Sequence, residues 1–174
     1  KLTMMNQKLE NYGKPITQTR YFEISAGNLW ELISSPGNLN DCHPYCLSNE
    51  VLQWNEEVHK DSLIYLNGRT YIRNFQSWDE GNGYTLNIGE DGGKQSFVIW
   101  SIVEISENKS KLSITVYPYL LAKLPRIISF LPHTIWIRPR LEKYLESVLT
   151  GFEYVSVNNK PVPRNYFGRH PWFS

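Results

Sequence analysis

The chain has 174 residues, enough for one domain with a substantial core, and its 41% hydrophobic and 20% charged content is that of a folded polypeptide. A net charge of +1 carries no electrostatic footprint for nucleic acid, and two cysteines are too few to staple a domain of this size. No run approaches the ~20 apolar residues of a membrane span, and the N-terminus lacks a signal-peptide core, so a cytoplasmic protein without stable membrane insertion is expected. Residues 1–15 are polar and aperiodic and read as a flexible N-terminal arm. Residues 16–24 alternate as a strand, with Ile16, Phe22 and Ile24 on one side. Ser25 is placed to cap a helix whose apolar stripe is Leu29, Trp30 and Ile33, and Pro36-Gly37 stops it. Residues 38–43 allow one more turn before Pro44.

From Val51 the pattern becomes sheet-like. Strands over 62–66 and 69–78 flank Asn67-Gly68, a strong hairpin signal. Residues 84–88, 95–105 and 112–119 are further strands joined by short turns, which implies an antiparallel meander. After Tyr119 the period changes, and 120–131 reads as short helical pieces limited by Pro125 and Pro132. Leu141, Tyr144, Leu145, Val148, Leu149 and Phe152 then form one continuous stripe, the signature of a long amphipathic helix. Gly151 within it costs ~1 kcal/mol against alanine and marks a close backbone approach or an early end. The tail, 158–174, is too aromatic to be free in water and is expected to dock on the domain through Tyr166, Phe167, Trp172 and Phe173.

The first segment carries Ile24, Ala26, Leu29-Trp30, Ile33, Pro36 and His43-Pro44 in order, followed by Trp100 on a late strand and the terminal stripe. This succession resembles the START-related superfamily, also called SRPBCC, which includes polyketide cyclase-like and birch-pollen-allergen-like proteins. The resemblance covers 16–157. It implies an α+β helix-grip fold: a curved antiparallel sheet around a long C-terminal helix, with two short helices after the first strand and a cavity between sheet and helix. Such cavities take lipids, sterols, plant hormones or polyketides. The family has no shared catalytic motif, so none is carried over. The apolar segment 120–137 and the tail extend beyond the family pattern.

Cys42, His43 and Cys46 are the densest cluster of metal-type ligands, but Cys-x3-Cys lacks a second matching half. No metal and no cofactor are expected. Arg69 and Arg73 share a strand face with Tyr71 and Phe75. Facing inward, Arg73 would anchor a carboxylate or phosphate head among rings. Val98, Trp100 and Ile102, with Leu112, Ile114 and Val116 on the next strand, are expected to line the interior. Asp41 and His43 form a candidate acid–base pair at the pocket rim.

The reading is a domain that binds a small, mostly apolar molecule (lipid-, sterol- or polyketide-like) through Tyr71, Arg73, Phe75, Trp100, Tyr117, Tyr144 and Val148. Catalytic activity stays open: a cyclase- or hydrolase-like enzyme would use acid–base residues in the same cavity. A third alternative is an interaction module built on the apolar insert 120–137 and the tail, where a lid, membrane contact or oligomer interface would use the same residues.

Overall fold

The computed structural model describes residues 9, 12–119, 130 and 132–174. β1 (Ile16–Phe22) buries its two ends and exposes Thr17, Thr19 and Tyr21. It leads into α1 (Ala26–Ser34), where the Ser25 Oγ accepts the Asn28 N–H at 3.1 Å. That bond satisfies one of the donors a helix N-terminus leaves free. Leu29, Trp30 and Ile33 are buried, and the helix ends ahead of Pro36, with Gly37 at φ 74. Asn38 completes the stop by donating its side-chain amide to the carbonyls of Leu32 and Ile33, both at 2.9 Å. A single turn, α2 (Leu39–Cys42), follows; its successor His43 is extended because it precedes a proline, whose ring disfavours the helical region.

Six strands then run as a meander: β2 (Cys46–Trp54), β3 (His59–Tyr65), β4 (Thr70–Asp79), β5 (Gly83–Gly89), β6 (Gln95–Ser106) and β7 (Lys109–Tyr117). All pairings are antiparallel, in the order β1-β7-β6-β5-β4-β3-β2. β2 starts five residues before the pattern becomes readable at Val51. It is an edge strand with most of its residues exposed, so it lacks the alternation that announces a half-buried strand. On β7, Leu112, Ile114 and Val116 face the core, while Ser113 and Thr115 point the other way and pair hydroxyls with Thr19 and Thr17 of β1, each at 2.8 Å.

A π-helical turn, His133–Ile137, runs into α3 (Arg138–Asn158). Pro139 sits in its first turn, where a missing N–H costs nothing. Leu141, Leu145, Val148, Leu149 and Phe152 are buried, and the helix lies across the inner face of the curved sheet. An ion pair from Arg20 of β1 to Glu153 ties its later half to the sheet edge. Gly151 marks a close approach and not an end: a Cβ there would lie 2.1 Å from the Cys42 carbonyl oxygen. The helix continues to Asn158, and Asn159 at φ 50 supplies the left-handed residue that closes it.

The helical pieces expected over 120–131 lie outside the described residues except at Phe130, as does most of the N-terminal arm. Where the arm is described, Tyr12 packs 6.3 Å from the Phe97 ring and the Gly13 N–H donates to the Pro118 carbonyl at 2.8 Å. Among the described residues no helix is long and apolar enough to cross a membrane.

Candidate functional site

Between α3 and the sheet lies a cavity of about 290 Å³, close to the lower end of the range for small-molecule pockets. Its apolar wall comes from Leu86, Val98, Trp100 and Ile114 on the sheet and from Leu145 and Val148 on the helix. The strand residues are there because alternate positions on β5, β6 and β7 face one way.

One end of the cavity is polar. His43 after α2, Tyr65 at the end of β3 and Tyr144 on α3 meet there. The His43 Nδ1 accepts the Tyr45 N–H at 3.1 Å, so the ring proton is on Nε2, which donates to the Tyr144 Oη at 2.8 Å. The Tyr144 Oη is 3.0 Å from the Tyr65 Oη. Burial holds the imidazole down to about 3, and the Arg73 charge acts in the same direction. Burial also raises Tyr65 and Tyr144 well above the ordinary phenol value. All three groups are therefore uncharged at neutral pH.

Arg73 lines the same cavity but is not a free anchor. Its Nε donates to the Asp61 Oδ1 at 2.7 Å and its Nη2 to Oδ2, a two-pronged pair in which both side chains are buried. This corrects the expectation of a cation waiting for an acidic head group. Arg69, at the mouth, is exposed and lies 6.0 Å from the Tyr71 ring.

Of the residues singled out from the sequence, Tyr71, Arg73, Trp100, Tyr144 and Val148 line the cavity, whereas Phe75 and Tyr117 do not. Phe75 lies farther along β4, inside a ring cluster with Trp54 at 5.4 Å and Tyr84 at 5.0 Å. Tyr117 falls on the outer face of β7, one residue out of step with Val116, and packs 6.2 Å from Phe97. The proposed Asp41–His43 pair does not form: Asp41 is exposed, and both His43 nitrogens are engaged elsewhere. Cys42 and Cys46 are free and buried, with thiols pushed up to about 12, chiefly by burial. Among the described residues no three His, Cys, Asp or Glu side chains gather into a metal-holding group.

Sequence reasoning passed over Asp61 and Tyr65 altogether. An aspartate at the start of an apolar run, Asp61-Ser62-Leu63-Ile64-Tyr65, was the available signal, since such a carboxylate needs a partner. The tail supplies the remaining wall through Trp172 and Phe173. Phe173 packs against Tyr65 at 4.4 Å and Tyr144 at 4.5 Å, and the Asn67 side chain donates to the Trp172 carbonyl at 2.8 Å. His170 Nε2 bonds the Arg140 carbonyl at 2.8 Å, and the Asn165 N–H donates to the Pro44 carbonyl at 2.9 Å. Tyr166 is exposed on one side, and its ring packs 5.1 Å from that of Tyr154 on α3.

No family model matches the sequence, and no curated protein matches it. Solved structures do match. A START superfamily protein from Mycobacterium smegmatis superposes with a TM-score of 0.66 at 13% identity, over 85% of this chain and 100% of that one. A protein from Thermus thermophilus gives 0.66 at 15% identity, over 84% of this chain and 99% of its own. The di-domain ARO/CYC StfQ from the steffimycin biosynthetic pathway gives 0.62 at 9% identity, over 83% of this chain and 45% of that protein. Identities this low speak to the fold alone.

Proposed function

On the START-type helix-grip fold that the chain adopts, we propose that it binds a small, mostly apolar molecule, lipid-, sterol- or polyketide-like, in the cavity between the sheet and α3. Trp100 and Val148 would meet the apolar body, with Tyr71 toward the mouth and Tyr144 at the polar end. One observation carries this reading: an apolar wall is combined with polar groups that are buried, mutually hydrogen-bonded and uncharged. General acid–base catalysis favours groups whose pKa lies near the working pH. Here burial drives His43 down to about 3 and the tyrosines upward, away from neutrality. Such groups orient a ligand better than they exchange protons with it.

A second reading, a cyclase-type enzyme, is favoured by one feature: His43 and Tyr144 face one cavity with their polar atoms 2.8 Å apart.

The experiment is native mass spectrometry of the protein purified from cells, together with titration by the neutral fluorophore N-phenyl-1-naphthylamine. A retained apolar species, or saturable one-to-one probe binding that Val148→Trp abolishes by filling the cavity, supports binding. Absence of both rejects it.

A further inference from the structure

We propose that the polar end of this cavity selects an uncharged acceptor oxygen, a carbonyl or hydroxyl of an otherwise apolar molecule, and turns carboxylates away; this rests on the binding reading above. Counting protons leads to the first half. The imidazole holds one proton, on Nε2, and donates it to the Tyr144 Oη, because Nδ1 is already accepting from the Tyr45 N–H. Tyr65 and Tyr144 bring two hydroxyl protons, and the single contact between them at 3.0 Å uses one. Whichever way that contact runs, one hydroxyl proton is left over, and among the described residues neither hydroxyl has a further bond. Both tyrosines line the cavity, so the spare proton has the cavity as its outlet. A buried donor gains from an acceptor and suffers a desolvation penalty without one.

The second half follows from Arg73. Its charge is balanced at hydrogen-bond distance by Asp61, which is fully buried, so the buried end offers no net positive charge. A carboxylate placed there would lose its water with no opposite charge to receive it. His43 offers none either, being held neutral by burial. Among the described residues of the lining the other cation is Arg69, which is exposed at the mouth and reaches only an acid that stays near solvent.

The test uses three probes of one shape: biphenyl, 4-acetylbiphenyl and biphenyl-4-carboxylate, titrated calorimetrically at pH 7.5. The last two are nearly isosteric and differ in charge. 4-Acetylbiphenyl is expected to bind about three- to tenfold more tightly than biphenyl, the range of one neutral hydrogen bond. Biphenyl-4-carboxylate is expected to bind more weakly than biphenyl, and more weakly still in Arg69→Ala. Tyr65→Phe and Tyr144→Phe each leave one hydroxyl proton, so each single variant keeps the acetyl preference. The double variant still leaves the His43 Nε2–H, which loses its acceptor with the Tyr144 hydroxyl and also lines the cavity, so the acetyl preference is expected to vanish only when His43→Leu is added; that triple variant must still bind biphenyl, which also reports that it is folded. A carboxylate that outbinds biphenyl in both the parent and Arg69→Ala overturns the proposal, as does an acetyl advantage below twofold in the parent. Failure of biphenyl itself to bind rejects the cavity-binding reading and takes this inference with it; the other failures leave that reading standing.

Discussion

Asp61 and Arg73 are direct cross-strand partners in β3 and β4, and their side chains close a two-pronged ion pair inside the core. The side chains are 0% and 4% exposed, so neither charge can turn to water if its partner is lost. Replacing a buried pair by matched apolar residues is often neutral, but removing one partner leaves an uncompensated charge. Asp61→Asn is therefore expected to destabilise the fold by about 3–5 kcal/mol in urea denaturation. The double variant Asp61→Leu/Arg73→Met should recover most of that loss. A cost for Asp61→Asn under about 1 kcal/mol would show that the pair is not the buried charge couple described.

That same pair shows where the sequence stopped being informative. Strands flanking Asn67-Gly68 with a two-residue turn would place Arg73 opposite Ser62. The chain instead uses a three-residue connection over 66–68: the Tyr65 N–H donates to the Arg69 carbonyl at 2.8 Å, and Gly68 is at φ 85. One added residue shifts every partner along β4 and brings Arg73 to Asp61. The inward sets Val98, Trp100, Ile102 and Leu112, Ile114, Val116 were legible because period two is local. The same period, carried one residue past Val116, puts Tyr117 on the outer face, where the structure has it. His43 was paired with its sequence neighbour Asp41 because its cavity partner, Tyr144, is 101 residues away, and no spacing rule reaches so far. The order of elements was legible for a different reason: caps, stops and turns are short-range chemistry, as Ser25 and Pro36-Gly37 show.

Gly151 sets how closely α3 can approach α2. A Cβ there would meet the Cys42 carbonyl oxygen at 2.1 Å and the Pro44 Cδ at 3.1 Å, and the first of these is backbone. Gly151→Ala would gain about 1 kcal/mol of helix propensity on its own. Lifting the helix off its seat should outweigh that gain, leaving a net loss of about 1–3 kcal/mol. A variant as stable as the parent in urea would mean that α2 yields without cost. Because His43 and Pro44 follow Cys42 directly, a shifted α2 should also weaken N-phenyl-1-naphthylamine binding.

The buried imidazole makes stability depend on pH with a definite sign. His43 is held near 3 in the folded protein against about 6.5 in an unfolded chain. Between those values the unfolded state binds the proton and the folded state does not, so stability falls as pH is lowered. From pH 6.5 to 5, above most carboxylate titration, the loss attributable to His43 is roughly 2 kcal/mol. His59 and His170, also lowered by burial, add to the same trend. Urea midpoints measured across this window should fall in the parent and fall less steeply in His43→Gln. Equal slopes in the two proteins would count against a buried neutral His43.

Trp172 and Phe173 differ in what they hold. Phe173 is nearly buried and packed between Tyr65, Tyr144 and His170, so Phe173→Ala removes a core ring and should cost about 3 kcal/mol or more. Trp172 is half-buried, meets Trp136 edge-on at 5.7 Å, and is held through its backbone by Asn67 at 2.8 Å. Its ring contributes less to the core than to the closure of the cavity beside Trp136. Trp172→Ala should therefore leave stability within about 1 kcal/mol while shortening the residence of bound N-phenyl-1-naphthylamine about tenfold in stopped flow. Asn67→Ala, which frees the backbone of the same segment and also releases the Arg69 N–H that the Asn67 Oδ1 accepts at 3.0 Å, should move the dissociation rate in the same direction by a smaller factor. If neither substitution alters dissociation, the ligand leaves by another route and the tail is wall without being closure.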